Sequence, residues 1–227
     1  MKLRPLAAVG LLAAWLSLGG SAHAALTAFT SKAAFDAAAA GLAAAQTVDF
    51  EAVPAGTTFA SGTGTGGLTF FYVISGPSTL QVSNVFGTTS GTNYLGLDNP
   101  DTAFYLGDSF TIDFNRAVVA VGLYVIAGSD AQAGDIGLSV AGGSVFNSAT
   151  ADVLVSDGQA FFLGLIESDF GSSFTSATLA GTFTPNAFLA FTVDDITSAI
   201  APVPEPETWL LLLAGLGAIS ARARRRR

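Results

Sequence analysis

The stretch FTIDFNRAVVAVGLYVI, residues 110–126, decides the fold class. Its first part places Phe110, Ile112 and Phe114 in alternation with polar side chains, which is typical of a strand with one buried face. The residues that follow, 117–126, are apolar and rich in valine, as expected of a second strand. The stretch therefore predicts two consecutive β-strands.

Segments of the same kind recur on both sides of this stretch, separated by clusters of Gly, Ser, Asn, Asp and Pro that are typical of turns. The predicted strands cover residues 47–51, 67–74, 79–86, 103–106, 110–114, 117–126, 136–140, 153–155, 160–166, 174–179 and 187–196. All 18 phenylalanines lie within residues 25–200, and aromatic side chains fit a pleated, half-buried sheet. We therefore predict one all-β domain over residues 25–200, folded as an antiparallel sandwich or barrel.

One short helix is predicted at the start of this domain. Ser31 can cap it, and the alanine-rich segment 32–45 places Phe35 and Leu42 on one face. Gly41 weakens the helix near its end.

The charge of the chain excludes several classes of function. The 17 acidic and 9 basic residues are unevenly placed, so that residues 25–200 hold 15 acids against 2 bases. So acidic a body would repel a phosphate backbone, which excludes nucleic acid as a partner. The chain has no cysteine, and its single histidine, His23, lies in the N-terminal segment. If that segment is removed, the mature protein has no residues for a histidine-based triad, a cysteine nucleophile or a Cys/His zinc site.

The N-terminal residues 1–24 have the three parts of a secretory signal peptide. Lys2 and Arg4 are followed by an apolar run of 13 residues and then by Ala22-His23-Ala24. We expect signal peptidase to cut between Ala24 and Ala25. The alternative is a membrane anchor, but the run would extend only about 20 Å, short of a hydrocarbon core of about 30 Å.

The C-terminal residues 201–227 contain a stiff proline motif, an apolar helix and a basic tail. The motif is Val203-Pro204-Glu205-Pro206, the predicted helix covers 208–221, and the arginine tail covers 222–227. The apolar segment is short, but arginine stems can snorkel and allow a thin span. Because basic residues stay in the cytoplasm, this arrangement directs the body outward, as the signal peptide does.

This order of elements resembles the PEP-CTERM sorting signal of Gram-negative bacteria. The resemblance implies cleavage near the proline motif by an exosortase, a membrane enzyme. It also implies a transient inner-membrane anchor, then release to the cell surface or extracellular matrix, commonly in bacteria that make exopolysaccharide. The alternative is a plain C-terminal anchor with a proline linker. A processed protein would lack Trp209 and everything after it.

The body also resembles domains that are commonly attached to this signal. The resemblance is carried by Phe29-Thr30-Ser31, by Val48-Asp49-Phe50-Glu51, by residues 110–124, by Phe161-Phe162-Leu163-Gly164 and by Val193-Asp194-Asp195-Ile196. It implies a jelly-roll-like β-sandwich, similar to galactose-binding or carbohydrate-binding modules.

Four acids form the candidate metal site. Asp49 and Glu51 alternate on the first strand and so should share a face, and Asp194 and Asp195 end the last strand. In the modules that the body resembles, these two strands are neighbours and such acids hold a structural Ca²⁺. Calcium takes six to eight oxygen ligands, and carboxylates supply them. The alternative is four separate, solvated acids.

A second candidate site is a loop that contains Asp98 and Asp101. Asn99-Pro100 between these acids first of all indicates a turn, although an oxygen-rich loop can also bind calcium or sugar hydroxyls. Tyr94 lies next to a loop and is the ring we expect to be exposed to a ligand. The alternative places Tyr94 in the core.

These features predict a non-enzymatic structural or binding module, exported and associated with exopolysaccharide. One alternative is a dedicated carbohydrate-binding module. A second is a carboxylate-based glycoside hydrolase or lyase, which needs two acids at a defined separation. No catalytic residue is predicted, because nothing in the sequence selects one pair among 15 acids.

Overall fold

The structure is a computed structural model and describes residues 26–169, 171–182, 189–202 and 206–224. Several predicted features lie outside the described residues: the signal peptide with its cleavage site at Ala24 and Ala25, the motif residues Val203, Pro204 and Glu205, and the end of the arginine tail. In chain order the elements are β1 (Leu26–Phe29), α1 (Lys32–Ala39), β2 (Ala43–Val48), β3 (Thr58–Phe59), β4 (Leu68–Val73), β5 (Leu80–Ser83), β6 (Tyr94–Leu97), β7 (Phe104–Tyr105), β8 (Ser109–Val118), β9 (Ala120–Ala127), β10 (Ile136–Val140), β11 (Gly143–Phe146), β12 (Val153–Val155), β13 (Gly158–Glu167), β14 (Phe174–Gly181), β15 (Ala190–Ile200) and α2 (Pro206–Arg224).

The strands form two antiparallel sheets, which confirms the predicted all-β sandwich. The larger sheet has ten strands and follows the order β1-β13-β9-β15-β6-β5-β3, with β12 beside β13 and with β2 and β7 beside β15. The smaller sheet has five strands in the order β11-β10-β14-β8-β4. β15, the last strand of the chain, therefore lies in the middle of the larger sheet.

The stretch 110–126 contributes to both sides of the core between the sheets. β8 belongs to the smaller sheet and β9 to the larger one, so residues 110–126 cross from one layer to the other. Phe110 of β8 stacks on Phe104 of β7 with ring centroids 5.2 Å apart, and Phe104 stacks on Phe191 of β15 at 5.3 Å. Rings buried in this way supply much of the hydrophobic stabilisation of a domain.

The helix α1 covers the outer face of the larger sheet and is shorter than predicted. Phe35 is buried there against Phe162, with ring centroids 5.2 Å apart. The prediction of helix to Ala45 is wrong, because residues 43–48 form β2 and pair with β15. Ser31 makes no side-chain cap, and the backbone N–H of Lys32 instead donates to the carboxylate of Asp152 at 3.0 Å.

The predicted apolar segment near the C-terminus is helical and forms α2. Its leucines at 210–213 and 216 are exposed, and Arg222 and Arg224 stand in its last turn. Within the described residues, neither helix combines the length and apolar character that crossing a membrane requires.

Candidate functional site

Three of the four acids of the predicted metal site, Glu51, Asp194 and Asp195, lie around one loop, residues 87–93, in the segment between β5 and β6. β2 and β15 are neighbours, with Val48 opposite Ile196, so the expected proximity of the two strands is confirmed. Asp194 and Asp195 do not end the last strand, as predicted, but lie in the middle of β15. The pairing of β15 with β9 is irregular between Asp194 and Thr197, and Asp195 has a φ of 52°.

Asp194 is fully buried and bound to loop 87–93. Its Oδ2 accepts hydrogen bonds from the backbone N–H of Thr89 at 3.0 Å and of Ser90 at 3.1 Å. The hydroxyl of Thr89 lies 2.9 Å from Oδ2 of both Asp194 and Asp195. Because a hydroxyl has one proton to donate, it cannot serve two charged carboxylates at once. A proton on one of the carboxyls resolves the conflict.

The charge balance of this pair favours such a proton. Burial, and next the charge of Asp195, raise the pKa of Asp194 to about 7, while the hydrogen bonds from Thr89, Ser90 and the Asp195 N–H act in the opposite direction. Asp194 is 0% exposed, so desolvation of its charged form is the expected main cause. The site therefore holds an acid that titrates near neutral pH.

Glu51 holds the other end of loop 87–93. Its Oε1 accepts hydrogen bonds from the backbone N–H of Thr92 at 2.8 Å and of Asn93 at 2.6 Å. Gly91 has a φ of +47°, and a Cβ there would lie 2.2 Å from the Glu51 carboxyl carbon. Glycine is therefore required at this close approach.

The predicted alternation of Asp49 and Glu51 is wrong. β2 ends at Val48, and Phe50 has a φ of 61°, so the residues after Val48 turn away from the strand. Asp49 instead accepts a hydrogen bond from the backbone N–H of Glu51 at 3.2 Å. The alternation of side-chain direction along a strand does not continue through such a turn.

The acids that meet loop 87–93 do not form one metal-ligand group. In the described part of the chain, no three side chains of His, Cys, Asp or Glu are arranged to hold a metal ion. One oxygen of Asp194 and one of Glu51 are also already used by loop N–H groups. The binding of calcium itself stays a prediction.

The residues of the second candidate site have different environments. The expectation that Tyr94 is exposed is wrong: its ring is 0% exposed, lies beside Phe86 and has its hydroxyl 2.6 Å from that of Thr102. Asp98 accepts hydrogen bonds from the N–H and hydroxyl of Thr79 at 2.6 and 2.8 Å, as a turn residue does. Of Tyr94, Asp98 and Asp101, only Asp101 lines a cleft.

That cleft has a volume of about 280 Å³ and lies beside loop 87–93. Its walls come from the end of β9, the start of β15 and the segment Phe86-Gly87, and Asp101 and Asp157 both line it. Asp101 accepts a hydrogen bond from the Tyr105 hydroxyl, and this bond is the main cause that raises the pKa of Tyr105 to about 12. Asp157 accepts hydrogen bonds from the Gly87 N–H and the Ser156 hydroxyl, both at 3.1 Å.

Thr192 is the polar residue of the cleft that the sequence argument missed. It is 4% exposed, and its hydroxyl has no hydrogen-bond partner among the residues that the structure describes. A threonine in a strand is ordinary, so only the packing could reveal it. Asp157, which also lines the cleft, is likewise not among the predicted site residues.

Comparison with known proteins identifies the C-terminal segment. None of the curated proteins compared with the chain matches it. Residues 202–227 match the PEP-CTERM protein-sorting motif, which includes all of the predicted proline motif, apolar helix and arginine tail. The chain is therefore an exported protein that carries a PEP-CTERM sorting motif, and the motif implies processing by an exosortase-type membrane enzyme.

Proposed function

We propose that the β-sandwich is a non-enzymatic structural and binding module, associated with exopolysaccharide at the surface of a Gram-negative cell or in its extracellular matrix. The signal peptide delivers it across the inner membrane, and the C-terminal segment anchors it there until the exosortase-type enzyme acts. The body then carries its acidic surface into a hydrated polysaccharide matrix.

The observation that carries this proposal is that many of the carboxylates bind the protein's own backbone. Asp98, Asp108, Asp194 and Glu51 all accept hydrogen bonds from the backbone N–H groups of turns or loops. Such bonds are charge-assisted and order the backbone to which they are made. Acids engaged in this way support a rigid module rather than the paired acids of a hydrolase.

Co-sedimentation tests the association. The processed protein from its native host is mixed with that host's exopolysaccharide and centrifuged, with dextran as the matched control polymer. We expect the protein to sediment with the host polymer and not with dextran, and the polymer to keep its length on size-exclusion chromatography. A protein that stays in the supernatant at every ratio contradicts the proposal.

The second candidate, a carboxylate glycoside hydrolase or lyase, is favoured by one observation. Asp101 and Asp157 line the same cleft, and two acids across a cleft are what glycoside hydrolysis requires. Against it, each carboxylate already accepts a hydrogen bond from a neighbouring group. Release of reducing ends from the host polymer, lost in Asp157→Asn, would establish this candidate in place of the first.

The proposal includes calcium as an ion that bridges acidic groups. Residues 25–200 carry 15 acids and 2 bases, so divalent cations would screen their mutual repulsion and link them to acidic groups of a polymer. Asp49, Glu51, Asp194 and Asp195 are the predicted ligands, although no three of them are arranged as one metal-ligand group in the described part of the chain. A calcium-dependent change in stability, described below, tests this part.

A further inference from the structure

We propose that the cleft beside loop 87–93 binds one ring of a neutral saccharide, with Thr192, Asp101 and Asp157 as its hydrogen-bonding residues. The inference rests on the proposed function, because it names the site and the ligand class through which the module would hold polysaccharide.

The first observation is that the hydroxyl of Thr192 has no hydrogen-bond partner among the described residues. Buried polar groups in folded proteins are nearly always hydrogen-bonded, and an unpaired one destabilises the fold. Valine has the same shape and would avoid that cost. Threonine side chains occupy more than one staggered χ1 well, so the hydroxyl can turn toward the cleft that Thr192 lines. A ligand hydroxyl there supplies the missing partner.

The two carboxylates are the second observation. Asp101 is held by the hydroxyl of Tyr105, and Asp157 is held by the N–H of Gly87 and the hydroxyl of Ser156. Both are thus positioned acceptors, and each carboxylate has lone pairs left over that a ligand donor could use. A charged carboxylate accepts but cannot donate, so the ligand must present hydroxyl or amine protons.

The apolar lining and the size of the cleft narrow the class of possible ligands further. Phe86 and Ile126 supply apolar wall that suits the C–H face of a sugar ring. The volume of about 280 Å³ lies just below the usual range of small-molecule sites, about 300 to 1,000 Å³. One ring therefore fits, with the rest of a chain in solvent.

The charge of the lining selects against anions. Neither Lys nor Arg is among the described residues that line the cleft, whereas two acids are. A uronic acid or a phosphate would meet like charge there. A neutral sugar unit uses both the acceptors and the apolar wall.

Saturation-transfer NMR on the processed protein tests the site. The probes are the methyl glycosides of glucose, galactose, mannose and rhamnose, with glucuronic acid as the anionic comparison and glucosamine as the cationic one. We expect at least one neutral glycoside to bind and glucuronic acid not to bind. Absence of binding by all four glycosides up to 50 mM overturns the proposal (about 2 kcal/mol of affinity), and binding by glucosamine alone replaces the neutral ligand with a cation.

Matched variants locate the binding. Thr192→Val and Asp157→Asn should each weaken it about tenfold, the usual effect of losing one hydrogen bond to a ligand. Asp113→Asn, on β8 of the other sheet, should leave it unchanged. Backbone amide spectra confirm that each variant is folded. If Thr192→Val and Asp157→Asn both bind the glycoside as tightly as the unmodified protein does, the assignment of the cleft is overturned.

The outcome is separable from that of the proposed function. Co-sedimentation with the host polymer in the absence of glycoside binding overturns this site and leaves the matrix association standing. Glycoside binding in the absence of co-sedimentation supports the site and contradicts the association.

Discussion

The buried carboxyl of Asp194 makes the stability of the protein depend on pH in an unusual direction. The pKa of Asp194 is raised from 3.8 to about 7 in the folded protein. Between these values the folded state binds one proton more than the unfolded state. The free energy of unfolding therefore falls as pH rises from about 4 to about 7, by about 1.4 kcal/mol per unit. The whole loss from this group is about 4 kcal/mol.

Urea unfolding of the processed protein between pH 4 and pH 8 measures this dependence. Asp194→Asn removes the titrating group, so its free energy of unfolding should change less over this range than that of the unmodified protein. Asp98→Asn, which removes an acid bound to Thr79 elsewhere, is the matched control and should keep the original slope. Parallel curves for the unmodified protein and Asp194→Asn would refute the reasoning.

Three further predictions concern packing, calcium and processing. Gly164→Ala should lower the free energy of unfolding by about 1–3 kcal/mol in urea melts, because its Cβ would lie 2.6 Å from a ring carbon of Phe35; an unchanged midpoint would contradict the packing. The melting temperature should rise with added Ca²⁺ and fall with chelator, and Asp195→Ala should abolish the difference; a melt indifferent to calcium counts against the ion. Mass spectrometry of the native protein should show a chain that begins at Ala25 and lacks Trp209, whereas an intact C-terminus would leave only a plain anchor.

Most of the fold was predictable, because apolar and polar residues alternate along a strand that has one buried face. The pattern at Phe110, Ile112 and Phe114 places these side chains in the core, where they are buried. The helix end was not predictable from local residues, because the alanines at 43–45 favour a helix. Their pairing with β15, about 150 residues away, makes them part of a strand instead.

The site was predictable only in part, for a physical reason. Glu51, Asp194 and Asp195 do lie around one loop, as the proximity of the first and last strands implies. Left-handed residues at Phe50 and Asp195 break the alternation on which side-chain direction was argued. The lack of a partner for the Thr192 hydroxyl within the described part of the chain depends on three-dimensional packing, so no local pattern could have indicated it.

The position of β15 has a consequence for export. With the predicted signal peptide at its start, the chain emerges N-terminus first, so this strand arrives last. β9, β6, β2 and β7 all pair with it, and the large sheet cannot close before it appears. Only five residues separate its end at Ile200 from α2. Completion of translocation and completion of folding are thus nearly simultaneous, and a chain stalled in the membrane before that point would remain an open, aggregation-prone sheet.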